Sequence, residues 1–147
     1  MSAATPTPAS PPPWIVESSI FTFEYLGGYF DGDRLILVLL VTAQKDTRLK
    51  IHRGAHTRFF DPGGWEHRTS AVQIGTEYED YLNEAVENSL VSGVPTRISL
   101  FFKNVSQDLR QFTLLEIGYS TDGSIISARF RNLPLMFARF GVEYEDL

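Results

Sequence analysis

The feature that most constrains this chain is a recurring two-residue alternation of apolar and polar side chains, cut at short intervals by turn signals. Phe21, Phe23 and Tyr25 alternate with Thr22 and Glu24, and Leu49 and Ile51 with Arg48, Lys50 and His52. The same pattern returns at Ser70, Val72 and Ile74, at Ile98, Leu100 and Phe102, and at Ile126, Ala128 and Phe130. Successive side chains of a strand point to opposite faces, so this period marks strands with one face on a core. Thr57–Phe60 and Phe112–Tyr119 read as further strands. Leu26-Gly27-Gly28 reads as a break, and Asp31-Gly32, Asp61-Pro62-Gly63-Gly64, Gly93-Val94-Pro95 and Asp122-Gly123 as turns.

Arg34–Thr42 departs from the alternation, being continuously apolar in its middle. Its Val and Ile content and its flanking Asp-Gly favour a central strand covered on both faces over a helix. The richness in aromatics, 11 Phe, 6 Tyr and 2 Trp, suits a pleated surface. Seven or so short strands with regular turns predict an all-β fold, a two-sheet sandwich. One segment breaks the period. Thr76-Glu77-Tyr78-Glu79 matches a helix capping box, and Tyr78, Tyr81, Leu82, Ala85 and Val86 follow at helical spacing, which predicts a short helix or helical loop over 77–88.

The sandwich is expected over residues 15–135. Before it, 1–14 is a proline-rich lead holding five of the eight prolines, a composition that favours an extended tether. After it, 136–147 is an aromatic, then acidic, extension: Phe137, Phe140 and Tyr144, with Glu143, Glu145 and Asp146.

Several function classes are disfavoured. There is no Cys, which excludes disulfides, thiolate metal sites and a thiol nucleophile. A net charge of −5 without a basic run lacks the footprint of a nucleic-acid binder. The longest apolar run, Leu35–Val41, is far below the roughly 20 residues a membrane helix needs. Met1–Pro13 has no basic start and no apolar core, so it does not read as a signal peptide. A native Met1 implies a soluble cytoplasmic chain, whereas a removed leader implies a cell-envelope location.

His52, His56 and His67, with Asp61 and Glu66, form the only cluster of metal-ligand type. In a straight strand His52 and His56 would stand about 13 Å apart at the ~3.3 Å rise per residue, too far for one ion unless the chain folds back. Surface histidines are therefore expected, with no metal and no cofactor. Asp31-Gly32-Asp33 lacks the spacing of a calcium loop. The acids Glu77, Glu79, Asp80, Glu84 and Glu87 read as the solvated face of the expected helix. No Gly-x-Ser-x-Gly elbow and no phosphate-binding glycine loop occurs.

Four segments together resemble a known group: Gly93–Val105, Leu39–Ala43, Phe60–Glu66 and Phe130–Leu135. They are similar to the immunoglobulin-like sandwich domains of bacterial envelope and secreted accessory proteins, including lipoproteins and mycobacterial immunoprotective-antigen-like proteins. The resemblance spans Val16 to Leu135. It implies an immunoglobulin-like sandwich and carries no catalytic residues, since its motifs describe turns and core strands.

The expectation for function is thus a non-catalytic binding or assembly module, an accessory subunit held to other subunits, or to itself, by its terminal extensions. Trp14, Phe137, Phe140 and Tyr144 are the candidate partner anchors, because large aromatics bury much area at one point. The alternative is a ligand- or carbohydrate-binding domain that uses Tyr29, Phe30 and Trp65 near turns. A hydrolase ranks last.

Overall fold

A computed structural model describes residues 12–79 and 85–135 of the chain, with the side chains of Tyr78 and Glu79 left aside. Among the described residues twelve strands carry the alternation into three dimensions. They are β1 (Ile15–Ser18), β2 (Phe21–Asp31), β3 (Arg34–Ala43), β4 (Thr47–His52), β5 (Gly54–Phe60) and β6 (Glu66–Thr69), followed by β7 (Ala71–Ile74), β8 (Glu77–Glu79), β9 (Ala85–Leu90), β10 (Thr96–Phe102), β11 (Gln111–Ser120) and β12 (Ile126–Pro134). All pairings are antiparallel.

The first sheet runs β1-β2-β3-β10-β7-β8. In the second, β11 pairs with β12 along one side. On its other side it pairs with β5 and then with β4, which follow one another along the same edge. β6 flanks β5, and β9 flanks β4. One core of buried side chains joins the two sheets, with Phe23, Leu37 and Leu100 from the first and Ile51, Phe59 and Ile117 from the second. The all-β, two-sheet expectation therefore holds, with more strands than the turns alone suggested.

Two expectations are corrected. No helix exists among the described residues. Within 77–88, Glu77–Glu79 pairs with β7, and Ala85 onward pairs with β4, while 80–84 lies outside the described residues. The capping-box pattern is overridden by tertiary pairing: Gly75, at φ 58, turns the chain tightly back beside β7. Likewise Leu26-Gly27-Gly28 does not end a strand. β2 continues through it with a bulge between Tyr25 and Gly27. A Cβ on Gly28 would meet Leu37 at 2.7 Å and the Ile36 carbonyl at 2.8 Å, so glycine here permits close approach within the sheet.

β3 is buried on both faces, as its sequence implies. Leu35, Leu37 and Leu39 enter the main core, while Ile36 and Val38 join Leu26, Ala71 and Phe101 in a second buried apolar cluster on the outer face of the first sheet. Tyr25 sends its hydroxyl to the carbonyls of Pro134 and Leu135 at 3.1 and 3.0 Å, pinning the end of β12, and burial pushes its phenol pKa up.

Candidate functional site

The second sheet departs from a regular ladder at one place. On β11, Glu116 pairs with Arg58 and Tyr119 with Ile51. The six residues His52–Thr57 therefore stand opposite only Ile117 and Gly118, and the surplus is thrown outward as a wide bulge. Gly54, at φ 73, makes its turn.

Two buried threonines hold it. The Thr57 hydroxyl donates to the His52 carbonyl at 2.6 Å and accepts from the Gly118 amide at 3.1 Å. The Thr69 hydroxyl donates to the Thr57 carbonyl at 2.8 Å and accepts from the Gly54 amide at 2.9 Å. These bonds satisfy backbone groups that the interrupted ladder would otherwise strand. Gly118 gives the room, since a Cβ there would come within 2.6 Å of the His56 carbonyl oxygen.

The bulge walls a cleft of about 500 Å³ lined by His52, Arg53, Gly54, Ala55, His56 and Ile125. Its two imidazoles stand edge to face with centroids 5.8 Å apart, so the ~13 Å of a straight strand does not apply. His52 Nε2 shares a 2.8 Å hydrogen bond with the Ser120 hydroxyl. Ser120 is buried and does not line the cleft, so this bond orients the imidazole rather than presenting a nucleophile. His67 lies apart, stacked on Phe59 and bonded to Asp61 at 2.9 Å. Among the described residues no three ligand-type side chains converge on a metal position.

The cleft sits in a charged surface. The outward positions of this sheet carry Arg48 and Lys50 on β4, Arg58 on β5, Arg68 on β6, and Arg129 and Arg131 on β12. Glu116 binds Arg58 at 3.3 Å and Arg129 at 2.8 Å, and Glu66 binds Arg68 at 2.7 Å and also Arg58. Arg58 lies 5.0 Å above the Phe60 ring. Hydrogen bonds from Arg68 and then Arg58 hold the Glu66 carboxyl below the usual range, and the bond to Glu66 raises the Arg58 guanidinium. The His67 bond, with amides of Trp65 and Gly63, likewise lowers Asp61.

Among the described residues, those expected to bind stand at separate places. Trp14 is half-buried against its own core, and its carbonyl accepts from the Tyr25 amide. Phe137, Phe140 and Tyr144 lie outside the described residues. Tyr29 lines a smaller cleft of about 280 Å³ on the first sheet with Gln73, Gly75, Arg97, Ser99 and Phe101. Phe30 packs against the core, while Trp65 is 74% exposed beyond the Asp61–Gly64 turn. The bulge escaped the sequence reading because its cause, the β11 register, lies some sixty residues away. The one local signal was Gly54 between two histidines. Comparison with protein-family models, with curated proteins and with solved structures finds no match to this chain.

Proposed function

We propose that this protein is a non-catalytic binding module whose ligand sits in the bulge cleft on the outer face of the second sheet. The observation that carries this is the bulge itself. Its surplus residues are unnecessary to the ladder, yet buried hydroxyls, a glycine and a histidine–serine bond fix them in one shape. Such over-determined irregularity next to a cleft favours a role in recognition. Fragment soaking of crystals of the full chain tests it: bound fragments gather between His52 and Ile125. Fragments that gather only at the Tyr29–Phe101 cleft would overturn it.

A second reading, assembly through the C-terminal extension, draws support from the outer face of the first sheet. There Leu26, Ile36, Val38, Ala71 and Phe101 form a second apolar cluster, with Tyr29 and Leu40 packed against it. Light scattering on the full chain and on residues 1–135 tests it. A monomer in both cases sinks assembly, and an oligomer lost on truncation supports it. The immunoglobulin-like kinship and an envelope location belong to this accessory-subunit reading and stand as proposals with it.

A further inference from the structure

The apolar layer on the outer face of the first sheet gives way to polar groups along β10 and β7. Ile98, Leu100 and Phe102 of β10 enter the core, so Arg97, Ser99 and Phe101 face outward. Phe101 belongs to the apolar layer. Arg97 and Ser99 instead line the cleft of about 280 Å³, together with Gln73 of β7. Ser99 stands between Val38 and Gln73 on the flanking strands, and Arg97 stands beside Leu40.

Ser99 is the informative residue. It is only 8% exposed, yet among the described residues no hydrogen bond reaches its hydroxyl. A hydroxyl sealed away without a partner is costly. Among the described residues no polar side-chain atom is both sealed and unpaired. The Ser99 hydroxyl therefore opens into the cleft that it lines. Arg97 is placed alike, since among the described residues no ion pair or hydrogen bond engages its guanidinium. Its backbone is fixed, with its carbonyl accepting from the Gly75 amide at 2.8 Å. The Gln73 amide nitrogen donates to the Gly75 carbonyl at 3.0 Å and carries a second hydrogen beyond that bond. Tyr29 and Phe101 have partners of their own and only wall the cleft.

We infer that this cleft binds an oxyanion, a phosphate or carboxylate group held by the guanidinium of Arg97, the hydroxyl of Ser99 and the second N–H of Gln73. The three side chains all offer hydrogens, and no carboxylate lines the cleft among the described residues. Guanidinium matches either oxyanion through paired, charge-assisted hydrogen bonds. The volume is below that of clefts that enclose larger organic ligands, so it suits a single anionic group with little attached. The site lies on the other sheet from the bulge cleft and stands or falls separately from the reading given to that cleft.

Calorimetric titration of the full chain with inorganic phosphate and with acetate, at matched ionic strength in chloride, tests this. At least one should bind saturably, and the tighter of the two identifies the group as phosphoryl or carboxylate. Arg97→Gln should weaken that binding about tenfold and Ser99→Ala about threefold, as expected for loss of a charge-assisted and of a neutral hydrogen bond. Arg97→Lys keeps the charge without the planar fork and should fall between wild type and Arg97→Gln. Arg131→Gln, on the second sheet, should leave binding unchanged, with melting temperatures confirming that the variants fold. Binding by neither anion would overturn the inference. So would binding indifferent to Arg97→Gln, or weakened as much by Arg131→Gln, which would mark it as a response to net charge.

Discussion

The two outer faces of this sandwich are made by the same rule and reach opposite results. Every strand sends alternate residues inward to one core, and what remains points outward. On the first sheet the outward residues of β3 and β10 include Ile36, Val38, Leu40 and Phe101, a second apolar layer with Val38 fully buried. On the second sheet the outward residues of β4, β5 and β12 include Arg48, Arg58 and Arg129, each held by a carboxylate in an ion pair. Outside the cleft at Arg97 the first face behaves as core and belongs to stability, whereas the second behaves as surface and is free to carry recognition.

The largest effect should come from placing the same residue on both faces. Val38→Asp buries an unpaired carboxylate and should cost on the order of 4 kcal/mol or prevent folding. Lys50→Asp, outward on β4, should cost less than about 1 kcal/mol even though it faces Glu87 across the strand pair. Equal losses in urea unfolding would break the comparison. Next, Gly118→Ala should destabilise by about 1–3 kcal/mol, because the added methyl meets backbone at His56 that the hydroxyl bonds hold in place. Thr57→Val keeps volume but leaves the Gly118 amide without that acceptor, a loss of about 1–2 kcal/mol concentrated at the bulge. Hydrogen exchange at residues 52–57 checks it, and uniform loosening of the whole sandwich would contradict it.

The smallest effect is electrostatic. Asp61 and Glu66 have lowered pKa values in the folded chain, so it favours their ionised forms. Their stabilisation is present above the ordinary carboxylate range near pH 4 and is lost as pH falls through the lowered values. Asp61→Asn should therefore flatten part of the decline in stability below about pH 4. An unchanged acid limb would contradict the role given to the His67 bond.

How far the sequence foretold this follows from where each signal lies. β3 was legible because a continuous Val- and Ile-bearing run between turn signals states that both faces are covered. Asp31-Gly32 and Asp61–Gly64 were legible because turn chemistry is local, as the Asp61 carboxylate accepting from the amides of Gly63 and Trp65 shows. The segment 77–88 misled, because a local helical pattern competes with strand partners that become visible only once the sheets assemble. The charged face was hidden by the net charge, although the outward members of the alternation, Arg48 and Lys50 or Arg129 and Arg131, already carried it. The bulge needed the register of a distant strand.

The most direct test of the account is an uncharged-fragment titration followed at every backbone amide by nuclear magnetic resonance. The account predicts saturable shifts confined to residues 52–57, Gly118 and the neighbourhood of Ile125, with Arg97, Ser99 and Phe101 unmoved. Saturable shifts centred on Arg97 and Phe101, or none at the bulge, would contradict it.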